Sequence, residues 1–356
     1  MNFEEMLSIR SVPTLSFDGL DRLEEKRSYI KELIQQKEYG ALPEKPEHLS
    51  ISLLEEDSRY AAGKARKQDI KITLINGDRS FSFGFCQVVP NISGKIPAFV
   101  YIGSSPALPD KFIPIEEIID NGFAVFSFCA EDVTSDSPIF NGISTFLKIN
   151  RRSASAPGKL MLWTYAAMRI MDYVESLDFI DKEHVAVIGH SRLAISALLA
   201  AALDERFKYA VANNSGCCGA AISKGKSGEQ VHDIVNRFPY LFSPKFKRLI
   251  QEFGKSEFDQ NFLLSLIAPR KLLIGSAEND LRSDPVSEFL GACSVSGIYK
   301  LYGETGLVDE NKFPKAPLIL DKGSICYHIR KGEQYLSRDD WQVYMNYIKK
   351  NTEKTK

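Results

Sequence analysis

The chain has 356 residues, of which 44% are hydrophobic and 26% are charged, and its formal net charge is -1. This is the composition of an ordinary globular protein, long enough for one large α/β domain or two medium ones. Nucleic acids and anionic membranes favour proteins with a clear basic excess, so the near-zero charge predicts that the chain binds neither.

The first residues contain no basic segment followed by an apolar one, so no secretory signal is predicted and we expect a cytoplasmic protein. A secreted mature form whose signal has been removed is the alternative. The longest apolar stretches are too short to span a bilayer.

The six cysteines lie mostly in apolar runs without zinc-site spacing, and we expect buried free thiols and no metal.

The chain is predicted to form a single domain over 1–356, with residues 1–45 as a helical extension packed on its outside. Apolar positions among charges over 19–38 have the period of an amphipathic helix. Residues 69–75 and 80–88 then alternate around Asn76-Gly77, a pattern that predicts a β-hairpin.

After this hairpin, apolar strand-like runs alternate with helical stretches. Strands are predicted at 97–102, 122–129, 185–188, 209–212, 271–274 and 298–302, and helices at 159–177, 192–203, 284–293 and 338–350. An antiparallel lead-in followed by this alternation predicts an α/β fold with a doubly wound, mostly parallel sheet and helices on both faces. Ligands of such sheets bind at the carboxyl ends of the strands.

A candidate nucleophile lies where the buried strand 185–188 meets the Ala- and Leu-rich helix 194–203, in the segment Gly189-His190-Ser191-Arg192. A serine at such a sharp turn exposes its hydroxyl above the sheet, and the next backbone N–H points towards a developing oxyanion. Leu193 stands where the G-x-S-x-G pattern has its second glycine. An ordinary helix N-cap serine is therefore the alternative.

A nucleophilic serine needs an acid and a histidine base, which follow it in that order in this kind of sheet. His328 is the predicted base because it follows far downstream in a strand-to-loop setting, whereas His232 lies in a predicted helix. The strand 271–274 runs into a loop with two carboxylates. We favour Asp280 over Glu278 as the acid, and an ordinary loop carboxylate is the alternative for either.

Seven short motifs follow one another along the second half of the chain. They are Ile188-Gly-His-Ser-Arg-Leu193, Asn214-Ser-Gly-Cys217, Ser227-Gly-Glu229, Leu266-Ile-Ala-Pro-Arg270, Ser276-Ala-Glu-Asn-Asp-Leu281, Tyr327-His-Ile-Arg330 and Asp340-Trp341. In this order they resemble the bacterial glucuronoyl esterases of carbohydrate esterase family 15, and the resemblance runs from about residue 97 to the C-terminus. It implies the α/β-hydrolase fold.

Carried over by position, the resemblance implies that Ser191 is the nucleophile and His328 the base. It implies that Arg192 helps to hold the oxyanion and that Glu229 binds sugar hydroxyls. No metal or organic cofactor is implied, and the expected partner is a small-molecule or oligosaccharide ester bound by a monomer.

The chain departs from the family pattern at several positions. One of the two family positions for the acid falls on Asn214, which has no carboxylate, and the other falls on Asp280, the predicted acid. Where the family has a lysine that contacts the uronate, this chain has Ile195. Arg282 replaces a family tryptophan, and Gln334 replaces the second histidine of the His328 loop. Arg282 offers a charged fork that suits a substrate with a further carboxylate.

Three functions follow from these residues. The first is a serine-dependent carbohydrate ester hydrolase that cleaves esters of (4-O-methyl-)glucuronic acid through an acyl-enzyme. The second is an acetyl or feruloyl sugar esterase of the same fold. The third is a non-catalytic sugar-binding homologue, which the residues Asn214, Ile195 and Gln334 favour.

Overall fold

The strands and helices alternate along most of the chain in the computed structural model, which describes residues 3–15, 22–105, 107–108, 110–308 and 313–354. The strands are β1 (His48–Tyr60), β2 (Ala65–Asn76), β3 (Arg79–Pro90), β4 (Ile96–Gly103), β5 (Ala124–Cys129), β6 (Ile180–His190), β7 (Tyr209–Asn213), β8 (Lys271–Ala277), β9 (Leu318–Leu320) and β10 (Ile325–Arg330). The helices are α1 (Phe3–Ile9), α2 (Leu23–Ile34), α3 (Ile115–Asp120), α4 (Ala130–Val133), α5 (Ile143–Phe146), α6 (Lys159–Glu175), α7 (Arg192–Leu203), α8 (Val231–Arg237), α9 (Pro244–Leu249), α10 (Asn261–Ser265), α11 (Pro285–Leu301) and α12 (Arg338–Lys354).

One sheet of ten strands has the order β1-β2-β3-β5-β4-β6-β7-β8-β10-β9. The six neighbouring strands β5, β4, β6, β7, β8 and β10 pair in parallel. The strands β1, β2 and β3 form an antiparallel lead-in, and β9 is an antiparallel edge strand. The crossover connections between parallel strands place helices on the faces of the sheet. The predicted fold class is therefore confirmed.

The two faces of the sheet carry separate apolar layers. Along β4, Val100 and Ile102 pack into the layer that contains α6, α7 and α11, whereas Phe99 and Tyr101 pack into the layer that contains α3 and α12. Successive side chains of a strand point to opposite faces, and both faces here are covered by helices. Such a strand must be apolar throughout, which is why the parallel strands were visible in the sequence.

The hairpin predicted around Asn76-Gly77 is confirmed as β2 and β3, which pair in one register from Asn76↔Arg79 to Ala65↔Pro90. Gly77 has a φ of +56°, a conformation that glycine adopts without steric cost. The predicted helix over 19–38 is α2 followed by a π-helical turn at Gln35–Tyr39; residues 16–21 lie outside the described residues.

The predicted strand at 298–302 is wrong. Residues 298–301 form the last turn of α11, where Ile298 and Tyr299 are buried, and the strand beside β8 is β10 instead. A short apolar run fits a buried strand and a buried helix equally well, because both hide their side chains from water.

All six cysteines are free and buried, as predicted. Among the described residues, no helix has the length and hydropathy that crossing a bilayer requires.

Candidate active site

Ser191 occupies a strained turn between β6 and α7. Its φ of 55° and ψ of -129° lie in a region that costs a non-glycine residue about 1–3 kcal/mol. A Cβ added at Gly189 would lie 2.3 Å from the carbonyl oxygen of Leu193, so only glycine fits there. Although Ser191 precedes the helix, its side chain makes no capping hydrogen bond. The predicted sharp turn between strand and helix is confirmed.

The side chain beside the Ser191 hydroxyl is Gln334. Its Nε2 lies 3.2 Å from Ser191 Oγ and donates a hydrogen bond to it. Gln334 lies in the loop between β10 and α12. An amide has no basic lone pair near neutral pH, so this side chain orients the hydroxyl but does not remove its proton.

The structure does not bring the predicted base, His328, to Ser191. His328 Nε2 lies 2.7 Å from Asp340 Oδ1, and both side chains are buried. His328 pairs across the sheet with Gly275, which pairs with Asn213, which pairs with His190. Three strand spacings, about 14 Å in all, therefore separate the backbone of His328 from the residue before the nucleophile.

Asp340 links the side chains of His328 and Arg330, which both lie in β10. Its second oxygen accepts hydrogen bonds from Arg330 Nε at 2.9 Å and from the backbone N–H of Ser337 at 2.7 Å. The His328 and Arg330 contacts and the Ser337 hydrogen bond hold the pKa of Asp340 below its usual value despite burial. This cluster fixes the loop that presents Gln334.

The predicted acid, Asp280, is buried, and it lies beside the other family position for the acid. Its Oδ2 accepts a hydrogen bond from Asn214 Nδ2 at 3.0 Å, and its Oδ1 accepts one from the backbone of Ser283 at 3.1 Å. The alternative acid, Glu278, is exposed. The predicted Ser191–His328–Asp280 triad is thus not assembled, since each member has a different partner.

His190, the residue before the nucleophile, is hydrogen-bonded to Asn213, whose backbone carbonyl oxygen accepts the N–H of Ser191. Its Nδ1 lies 2.7 Å from Asn213 Oδ1, and its ring packs 5.3 Å from the ring of Phe112. Burial lowers the pKa of His190, which keeps the imidazole neutral near pH 7. Among the described residues, no histidine is hydrogen-bonded to Ser191 Oγ.

Arg192 is held by a carboxylate that the sequence did not single out. Arg192 Nη2 lies 2.7 Å from Asp136 Oδ2, and the guanidinium lies 4.5 Å from the centroid of the Phe238 ring. Tyr240 donates a further hydrogen bond to Asp136 at 3.0 Å. Asp136 lies 56 residues before Arg192, so no local pattern could have paired them.

The two residues predicted to bind substrate contact each other. Arg282 Nη2 lies 2.6 Å from Glu229 Oε1, with exposed side-chain fractions of 49% and 14%. A sugar hydroxyl that binds Glu229 must therefore share it with Arg282 or displace it. Ile195 is fully buried, so that family position offers no polar contact to a ligand.

Within the described ranges, no three His, Cys, Asp or Glu side chains are grouped so that they could hold a metal ion.

A serine in a strained strand-to-helix turn, at the carboxyl edge of a doubly wound sheet, defines the α/β-hydrolase class. The family model described as glucuronyl esterase, fungi, matches residues 72–303. The chain belongs to this glucuronoyl esterase family.

Two relatives of the chain carry the names of esterases. The chain is 36% identical over 237 residues to carbohydrate esterase MZ0003 of an unknown prokaryotic organism. The aligned region covers 65% of this chain and 54% of that protein. It is 29% identical to a 4-O-methyl-glucuronoyl methylesterase of Neurospora crassa, over 78% of this chain and 68% of that one. The chain thus spans about half the length of the first of these relatives.

Two solved structures share the whole fold. A promiscuous esterase of carbohydrate esterase family 15 from a marine bacterial metagenome superposes with a TM-score of 0.82 at 27% identity, over 92% of this chain and 91% of that one. A glucuronoyl esterase from Solibacter usitatus superposes with a TM-score of 0.85 at 25% identity, over 95% and 96% of the two chains.

Proposed function

We propose that this chain hydrolyses carboxylic esters of sugar acids through Ser191, with esters of glucuronic or 4-O-methyl-glucuronic acid as its substrates. The observation that carries the proposal is the strained backbone of Ser191, which presents the hydroxyl at the carboxyl edge of the sheet. Family membership supports the choice of substrate, since relatives are named as 4-O-methyl-glucuronoyl methylesterases.

The reaction proceeds through an acyl-enzyme. Ser191 Oγ attacks the ester carbonyl, and the negative charge on the carbonyl oxygen is stabilised by Arg192 and by backbone N–H groups at the turn. The tetrahedral intermediate then expels the alkoxide, which takes a proton from water to leave as the alcohol, and a second water attacks the acyl group to release the sugar acid and free Ser191.

The proton of Ser191 leaves without a histidine. Gln334 occupies the position next to Oγ, so hydroxide or water accepts the proton. In serine hydrolases that lack one triad member, binding and oxyanion stabilisation still leave about 10³–10⁴-fold catalysis over water. We therefore infer a slow esterase whose rate increases with hydroxide concentration, without the plateau that a histidine pKa near 6.5 produces.

A second candidate is a sugar-ester binding protein without turnover. The hydrogen bond from Gln334 to Ser191 Oγ favours it, because the hydroxyl is engaged by a group that does not activate it.

The two candidates are separated by comparing the wild type with Ser191→Ala. Hydrolysis of methyl and benzyl glucuronate and labelling by a fluorophosphonate are expected in the wild type and lost in the variant. Acetylated and feruloylated sugars in the same panel identify the acyl group. Calorimetric binding of glucuronate esters without any Ser191-dependent hydrolysis favours the binding protein.

A further inference from the structure

A buried lysine, Lys159, contacts the loop whose Asp136 binds Arg192. Lys159 is the first residue of α6 and is fully buried. The amino end of a helix is positively polarised, and an unpaired buried ammonium group is costly. This position is unfavourable for a cation unless specific contacts compensate it.

The compensating contacts come from one segment, which we call the arginine loop (residues 134–141). Lys159 Nζ donates hydrogen bonds to the carbonyl oxygens of Ser135 and Ile139. It also lies 5.0 Å from the ring centroid of Phe140, a distance at which a cation is attracted to an aromatic face. The ammonium group therefore joins both sides of the loop.

The arginine loop carries Asp136, which binds Arg192. The two guanidinium nitrogens of Arg192 lie 2.7 and 3.2 Å from the two oxygens of Asp136, and such paired contacts fix the plane of an arginine. Tyr240 supports the same carboxylate. The orientation of Arg192 thus depends on where the loop holds Asp136.

We propose that Lys159 is a positioning residue, which holds Arg192 in the orientation that stabilises the oxyanion by fixing the arginine loop and its Asp136. The inference rests on the proposed function, in which Arg192 acts on the oxyanion. Lys159 acts through Asp136 and not on the substrate.

The charged and titratable groups that face Lys159 are Asp136 on the loop, Arg151 and Tyr240. Burial lowers the pKa of Lys159 to about 8, a shift that Asp136 opposes and Arg151 increases. A neutral amine is a weaker donor and is not attracted to Phe140 as a cation. The contacts between Lys159 and the arginine loop therefore weaken as the pH rises through about 8.

The test compares Lys159→Met and Lys159→Arg with the wild type in two measurements that need no activity. Amide hydrogen exchange follows opening of the arginine loop, and peptide mass spectrometry follows modification of Arg192 by phenylglyoxal. In Lys159→Met at pH 7, we expect loop exchange to increase about tenfold and Arg192 to be modified several-fold faster. Corrected for intrinsic rates, wild-type loop exchange increases between about pH 7 and 9.5, whereas Lys159→Arg keeps the loop protected.

Asp136→Asn tests the contact between the loop and the arginine, since it should speed Arg192 modification while changing loop exchange much less than Lys159→Met does. If Lys159→Met fails to fold, the increase of wild-type loop exchange between about pH 7 and 9.5 still tests the role of Lys159. In hydrolysis of methyl glucuronate, Lys159→Met should lower kcat more than it changes KM, because the arginine acts on the transition state.

Equal loop exchange and equal Arg192 modification in the wild type and both Lys159 variants would overturn the inference, whether or not hydrolysis is seen. If these readouts change as expected but the wild type hydrolyses no sugar ester, the proposed function fails and the positioning of Arg192 by Lys159 stands.

Discussion

At the nucleophile, the side chain that touches Ser191 Oγ is the amide of Gln334, and this single residue sets the expected rate. A histidine at this position could accept the proton from Oγ and return it to the leaving alcohol. Glutamine has a similar reach but no basic nitrogen. The slow rate proposed for the chain therefore follows from one side chain in an otherwise complete turn.

Gln334→His is expected to increase kcat/KM for methyl glucuronate at pH 7 by about 100-fold, since general-base catalysis contributes about 10²–10⁴-fold. The pH–rate profile should acquire a plateau above the histidine pKa, in place of a steady increase with hydroxide. Steady-state kinetics from pH 5 to 9 measures both. Gln334→Ala is the matched control, and equal rates in the two variants would contradict the account.

The same variant tests the predicted acid, Asp280. In the Gln334→His background, Asp280→Asn should remove most of the gain, because a carboxylate that holds the imidazole stabilises its charge. Glu278→Gln should keep the gain, since Glu278 is exposed. The reverse pattern would show that Glu278 is the acid.

Arg282 is half exposed and paired with Glu229, so it neutralises a carboxylate at the predicted sugar-binding position. Arg282→Ala should increase KM about tenfold for esters that carry a further carboxylate, because one charged hydrogen bond is worth about 1.5–3 kcal/mol. For neutral esters, KM should stay the same or decrease, since Glu229 becomes free to bind hydroxyls. An unchanged KM for acidic esters would remove Arg282 from the substrate contacts.

At the scale of elements, the end of β10 and the start of α12 are joined by buried charges. Asp340 binds His328 and Arg330 at once, and removing one partner of a buried ion pair typically costs about 3–5 kcal/mol. Asp340→Asn should therefore lower the free energy of unfolding by about 3 kcal/mol, measured by denaturant titration.

His328→Gln separates this structural role from a catalytic one. It should lower stability while leaving Ser191-dependent hydrolysis within about threefold of the wild type, because the ring of His328 is hydrogen-bonded to Asp340 and Ser191 Oγ is hydrogen-bonded to Gln334. A loss of activity as complete as in Ser191→Ala would restore His328 as the base.

Local elements were predicted well and contacts between distant elements were not. The bounds of α7 and the turn at Ser191 follow from neighbouring residues: a buried strand, a glycine without room for a Cβ and an Ala-rich helix. The partner of His328 lies twelve residues further along the chain, and no spacing rule distinguishes that contact from one to Ser191. Motif order placed His328 in the site, but its ring is hydrogen-bonded to Asp340 of α12.

At the scale of the whole molecule, the sheet could be predicted because its central strands are covered on both faces and are therefore continuously apolar. The antiparallel strands at the two ends of the sheet were only partly predicted from the sequence. Most of β1 is exposed and rich in polar residues, and β9 has three residues, so neither carries a clear apolar pattern. The π-helical turn at Gln35–Tyr39 was also not predicted, because its residues continue the amphipathic pattern of α2.

That turn contains a buried carboxyl group that makes stability depend on pH. Burial raises the pKa of Glu38 to about 8, well above its usual 4.5, so the folded chain keeps a proton that the unfolded chain releases. The resulting stability is fully present below about pH 4.5 and is lost as the pH rises through about 8.

Glu38→Gln should reduce this loss, because the amide never ionises. We expect the fall in melting temperature between pH 5 and 8.5 to be several degrees smaller in the variant than in the wild type. Glu25→Gln, at an exposed position of α2, is the control and should follow the wild type. A parallel pH dependence in all three proteins would show that Glu38 does not titrate in this range.

The most direct test of the account is the pH dependence of methyl glucuronate hydrolysis by the wild type and by Ser191→Ala. The account predicts slow hydrolysis that depends on Ser191, with a rate that increases with hydroxide from pH 6 to 8 and shows no histidine plateau. Equal rates in the two proteins, or a fast wild type with a plateau near pH 7, would contradict it.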